Sequence, residues 1–343
     1  MSTIHQGTNF IDKISQLYLI REIDKPLFIC LLKSSSIVVT TLLLLLLPDY
    51  ALYLFPIHLF LYLAFMGQFL TMFHDLMHHP LLKNKWLNQL LVGWVGMLYG
   101  LTHYSYFCHH VLMHHPEDNG WKDLSSTRPY QRDSFRDFLK YHFHFFFSLF
   151  SLSAFIKSHK NRLRVQYANR MVFYELLYLL FGITLLIFSP IAALAIVFIP
   201  VFISRTMLII GNWAEHAFIN PDKPDNIYNN TANILGKYNK DCFNVGYHIG
   251  HHLHPAMHFS LMAAEFEKNI ERYAKEDAIV FKDVHYPHIW YYLMTKNYKK
   301  LASLFVQLPG RAPRSEGEII ALLQARVVAI TNTPKPAKNS NHG

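Results

Sequence analysis

The stretch MVFYELLYLLFGITLLIFSPIAALAIVFIPVFISRTMLII, residues 171–210, decides the fold. Its halves, 171–189 and 190–210, are each about 20 residues of nearly unbroken apolar sequence, the length a helix needs to cross a hydrocarbon core. They are joined only at Ser189-Pro190, so they read as a tight helical hairpin. Glu175 and Arg205 are the only charges in it. Each lies about one turn from the same membrane boundary, where a structural ion pair is the expected role. Residues 27–47 and 51–73 form a second pair of runs, joined at Pro48-Asp49-Tyr50.

The rest of the composition agrees. The chain has 343 residues, 52% of them hydrophobic, yet a net charge of +9. Neither tight turn holds a Lys or Arg, whereas residues 74–170 hold twelve. By the positive-inside rule both termini and that long loop are cytoplasmic. The charge reads as a face resting on anionic lipid; no nucleic-acid recognition motif accompanies it. The N-terminus lacks the pattern of a cleavable signal peptide. Cys30, Cys108 and Cys242 have no paired spacing, so neither a disulfide framework nor a thiolate site is expected.

The expected architecture is all-α and integral to the membrane, with four transmembrane helices in two hairpins and a cytosolic helical domain holding a His-rich dimetal site. Residues 1–26 form an amphipathic cytosolic N-terminus, 27–255 the membrane domain with its histidine boxes, 256–331 cytosolic C-terminal helices, and 332–343 a disordered tail. Residues 90–107, apolar but short, are expected to be re-entrant or buried beneath the cytosolic domain. Ser134 is placed to cap an aromatic helix over 135–150, and Ser315 with Glu318 to form a capping box before a last helix over 319–330. Helices are also expected over 265–273 and 288–306. In the polar stretch 123–134, Ser125, Ser126 and Thr127 suit a turn. A sharper expectation is that Arg128, Arg132 and Arg136 hold an anionic substrate headgroup.

The chain has 22 histidines, and they cluster. HVLMHHP (110–116) nearly repeats HDLMHHP (74–80), and HIGHHLHP (248–255) follows later. Histidines three or four positions apart share a helix face, so each cluster can aim several imidazoles at one point. Pro80, Pro116 and Pro255 then end or bend each segment. His5, His58, His142, His144, His159 and His285 read as ordinary packing or surface residues, and His103, His254 and His258 as supporting ones. Imidazole suits Zn, Cu, Fe and Ni. One zinc takes three or four ligands, so eight or more histidines suit a two-metal site. A purely structural set of buried imidazoles would need costly hydrogen-bond partners for every ring. A metal transporter or a bis-histidine haem protein would place ligands within the spans, and the second hairpin contains no histidine.

HDLMH (74–78), HVLMHH (110–115) and HIGHH (248–252) resemble the histidine boxes of the membrane fatty-acid desaturase superfamily. The resemblance runs from about the second span to Pro255. NWAEH (212–216) is similar to the N-x-x-x-H of its acyl-CoA desaturases. The resemblance implies two iron ions held by His74, His78, His110, His114, His115, His216, His248, His251 and His252, with Asn212 acting through a water. His79 and His109 are additional candidates, as ligands or supports. Box two has three residues between its first two histidines, where many desaturases have two; box three has Gly250 where many carry an acid.

The implied reaction is O2-dependent desaturation of a fatty acyl chain, an oxidoreductase chemistry with no catalytic residue beyond the metal ligands. Related hydroxylases, ketolases and 1-alkene-forming fatty-acid decarboxylases share the ligand set. With no H-P-G-G haem module and no flavin or nicotinamide fingerprint, the electrons must come from a separate donor, a ferredoxin or small cytochrome with its reductase. The acyl chain is expected to enter near residues 143–147. Glu117 and Asp118, next to box two, are expected to form a loop turn, and are candidates for a departure in chemistry.

Overall fold

A computed structural model describes residues 10–331. The expected tail at 332–343, residues 1–9 and His5 lie outside the described residues. Four helical units are long and apolar enough to cross a membrane: Glu22–Leu46, Pro48–Asp75, Arg162–Phe188 and Pro190–Glu215. They are referred to below as the first to fourth long helices. The chain folds this way because these runs offer lipid no unpaired backbone group when helical. Their outward sides keep large apolar residues exposed, among them Phe60, Ile187 and Phe188 at 70–79%. Both pairs run longer than the apolar sequence alone suggests. The fourth helix continues through Asn212 to Glu215, and Asn161 caps the third by accepting from Leu163 N and Arg164 N, a contact worth about 1 kcal/mol. The first is bent at its run of serines, where Ser35 Oγ donates to the carbonyl of Leu31 at 2.7 Å.

Residues 90–107 are not one continuous helix. Lys85–Leu98 ends, and His103–His109 begins after a break at Gly100. Gly100 has φ of +78°, and a Cβ there would overlap the backbone of Pro200 in the fourth long helix. Only glycine allows both the left-handed turn and that approach. The turn is what sends the box-two helix back toward the histidines.

The aromatic segment is also broken. Phe135–Phe146, capped by Ser134 as expected, stops where Ser148 Oγ bonds the carbonyl of Phe145, and Leu149–Ser158 follows. Residues 265–273 divide into Met262–Lys268 and Ile270–Lys275, because the Asn269 amide bonds back to Glu265. Residues 288–306 divide at Lys296, whose φ is +52°. The capping box at Ser315 and Glu318 is formed.

The chain is mostly helical but not purely so. Strands β1 (Ala232–Leu235) and β2 (Ile279–Lys282) pair in parallel, Ala232 opposite Ile279. Both are short and largely buried, so their apolar residues pack on both faces without the alternation that marks a surface strand. The pair matters to the site: Asn233 Oδ1 accepts from Ile249 N at 2.8 Å and so fixes the start of the helix carrying box three. The same core joins the end of the fourth long helix (Ala214, Ala217, Phe218) to Ile289, Leu301 and Leu323, so the C-terminal helices buttress the histidines rather than standing apart.

Candidate metal centre

Four short segments deliver the histidines. His74 lies in the last turn of Ala51–Asp75 and His78 in the turn after it; box two follows His103–His109; His216 caps the fourth long helix; box three is the helix His248–Leu253. Box two departs from α geometry. His110–His114 is a π turn, in which the amide of His115 bonds the carbonyl of His110. On an α-helix, residues five apart point about 140° from each other. The π turn absorbs the extra residue. His110 and His115 thereby face one way while His114 faces another. This is how a box with three intervening residues still serves two neighbouring clusters.

The rings gather into two tetrads: His74, His78, His110 and His251, and His114, His216, His248 and His252. In the first, His110 Nε2 lies 2.9 Å from His78 Nε2 and 3.4 Å from His251 Nε2. His115 joins it, its Nε2 at 3.1 Å from His110 Nε2 and 2.9 Å from His251 Nε2. Its ring also lies 4.7 Å from that of His252, so it stands between the clusters. In the second, His252 Nε2 is 3.1 Å from His248 Nε2.

These spacings suit a metal better than hydrogen bonding. A neutral imidazole has one donor and one acceptor nitrogen, yet His110 Nε2 faces three other ring nitrogens. Two nitrogens bound to one ion at about 2.1 Å lie roughly 3.0 to 3.4 Å apart, for octahedral to tetrahedral geometry. Burial, reinforced by the neighbouring imidazoles, holds His115, His216, His248 and His251 well below the ordinary histidine range. Burial likewise pushes His78 down to about 4. Neutral rings keep the lone pairs a metal requires.

A surrounding layer fixes the tautomers. His114 Nδ1 donates to Asp123 Oδ2 at 2.7 Å, so Nε2 is the nitrogen left for a metal. Asp123 is itself held by Ser125, through N at 2.8 Å and Oγ at 2.6 Å. Burial favours the protonated carboxyl of Asp123, but the His114 imidazole outweighs it and holds the group below its usual range. His216 Nδ1 donates to the carbonyl of Asn230 at 2.9 Å, and its Nε2 is buried with no partner among the described residues. Asn230 Nδ2 also donates to Asp118 Oδ2 at 2.8 Å, and Asp118 Oδ1 lies 2.8 Å from His252 Nδ1. Asp118 takes a left-handed φ of +46°, the turn that swings its carboxylate back under box three. Carboxylate–imidazole pairs of this kind orient metal-binding histidines.

The other expected residues lie as follows. Asn212 Nδ2 donates to the carbonyl of Ser125 and to Tyr141 Oη at 3.0 and 2.7 Å. His109 lies outside both tetrads and bonds Ser125 Oγ at 3.0 Å, one step behind Asp123. His79 also lies outside them, its ring 6.4 Å from that of His258, which pairs with Asp24. Arg128 and Arg132 are buried, and most of their donors bond the chain itself, although Arg128 Nε has no partner among the described residues. Arg128 bonds Asp225 and the carbonyl of Pro224. Arg132 bonds six carbonyls, including those of Ala217, Arg326 and Val328. Both thereby tie the polar loop to its neighbours, and Arg136 alone of the three is exposed.

A cavity of about 720 Å³ opens beside the clusters, with His74, His110, His114 and His248 in its wall. It passes between the second and fourth long helices, past Tyr106 and Leu208, to Thr102, Ser105 and the ion pair Arg205–Glu175, which is 2.9 Å long. Phe145 and Phe146 line it, whereas Phe143 and Phe147 are exposed. Two carboxylates near the histidine tetrads are not legible by pattern alone. Asp123 and Glu215 carry no periodic signal; the nearest clue was their place beside Ser125 and His216.

A family model described as fatty acid desaturase matches residues 50–283, more than half of the chain. The chain belongs to the fatty acid desaturase family. The match takes in both tetrads and three of the four long helices. No curated protein and no solved structure matches the chain. Membership implies an oxidoreductase, and the two histidine tetrads give this family member a place for metal.

Proposed function

We propose that this desaturase-family protein is a membrane-bound, O2-dependent fatty acyl desaturase with a dinuclear iron centre. The observation that carries the proposal is the shared wall: two histidine tetrads face one cavity that runs between long apolar helices. Nine imidazoles suit two iron ions, which when bound supply the O2 activation needed to remove hydrogen from an unactivated C–H bond. His74, His78, His110, His115 and His251 would hold one ion, and His114, His216, His248 and His252 the other. Asp118, Asp123 and the Asn230 carbonyl keep the rings in the tautomers that bind. Asn212 is set to hold a water at the cavity wall. The apolar walls position the acyl chain and exclude bulk water.

The electrons come from a separate donor, a ferredoxin or small cytochrome with its reductase, docking on the basic face. The same charge bias puts that face and both termini in the cytoplasm. Reporter fusions at residue 343 are expected to be active only in a form that works in the cytoplasm; the opposite result would invert the topology.

The reaction is tested by mass spectrometry of lipids and headspace from cells expressing wild type or His251→Ala together with a donor system. New unsaturated acyl chains in the wild type alone are expected. A hydroxylated acid, a ketone or a terminal alkene would replace desaturation with one of the related reactions.

A further inference from the structure

We propose that Glu215 is a carboxylate ligand of the metal held by His114, His216, His248 and His252. This rests on the dimetal reading above. Glu215 is the last residue of the fourth long helix, beside His216, and its side chain lines the cavity where the second tetrad meets it.

The surroundings of the carboxylate differ from those of Asp123, Asp118 and Glu175. Asp123 is bonded by His114 and Ser125, and Asp118 by Asn230. Glu175 accepts from Arg205, Thr102 and Ser105. Among the described residues no donor hydrogen-bonds the Glu215 carboxylate, although its side chain is only 16% exposed and that exposure is to the cavity. Its nearest polar partner is His248 Nε2, at 3.5 Å from Oε2.

An enclosed carboxylate is kept by a donor, by a proton or by a cation. Among the described residues no Lys or Arg pairs with it, so they supply no cation at this point. The 3.5 Å separation lies within the roughly 3.0 to 3.6 Å that separates neighbouring ligands of one five-coordinate ion. Four neutral imidazoles leave the charge of a divalent ion uncompensated, and a carboxylate on the open side of the tetrad offsets part of it. The two metals then differ: the first has nitrogen donors only, the second nitrogen and oxygen.

The test uses purified full-length wild type, Glu215→Gln and Glu215→Ala, loaded anaerobically with Fe(II). Iron per chain is measured before and after challenge with a chelator, together with Mössbauer spectra. The wild type is expected to retain about two irons per chain in two inequivalent sites. Both variants are expected to lose one iron at least about ten times faster, with the loss in the signal of the second site. Glu215→Gln keeps the side chain's shape, so its loss isolates the charge from a folding defect. Variants that hold both irons with wild-type retention and spectra would overturn the assignment of Glu215 alone. A wild type that never holds two irons would overturn the dimetal reading beneath it.

Discussion

Asp123 shows why the histidines were legible and their supports were not. Histidine is uncommon, and its clustering three and four residues apart needs no tertiary knowledge. An aspartate in a polar turn looks like any other until the fold brings it 2.7 Å from His114 Nδ1. The same reasoning explains the arginines. Three cations in one loop resemble an anion site, but Arg132 is almost wholly buried and six carbonyls occupy its guanidinium. Asp123→Asn keeps the shape but weakens the hold on the His114 tautomer. Iron retention is expected to fall about 10- to 100-fold with little change in the yield of folded protein. Retention equal to wild type would remove Asp123 from the account.

Elements account for what spacing alone left open. An α-helix cannot turn His110 and His115 to one side, and the π turn does. That irregularity has no marker in residue type; it is a response to packing between two clusters. The four long helices, by contrast, were readable because membrane length and hydropathy are properties of a continuous segment. The breaks at Asn269 and Ser148 were missed because each depends on one side chain competing for a helix carbonyl or amide. Strands β1 and β2 are not legible in the sequence because four residues are too few for a period-two pattern to show. Gly100 is where an element boundary carries the most strain if altered. Gly100→Ala is expected to destabilise by about 2 kcal/mol or more, from the left-handed φ and overlap with Pro200. Thermal unfolding in detergent measures it, and an unchanged transition would mean that the fourth long helix can move aside.

At the scale of the whole molecule, apolar helices, cavity and histidines form one device. The long helices expose an apolar girdle outside and enclose the cavity inside, while the C-terminal helices and the β1–β2 pair brace box three from the other side. Gly67 lines the cavity seven residues before His74, about 10 Å along the helix. A Cβ there would meet nothing within 4 Å. Gly67→Leu should therefore shorten the acyl chains accepted by two or more carbons without loss of folded protein. Products of unchanged length would show that the chain takes another path.

The central claim is that the two tetrads hold two irons as one centre. The most direct measurement is iron per chain in the purified wild type beside His251→Ala and His216→Ala, each variant opening one tetrad. The account predicts about two irons per wild-type chain and about one in each variant. A wild type that holds one iron, or none under conditions that keep it folded, would contradict it.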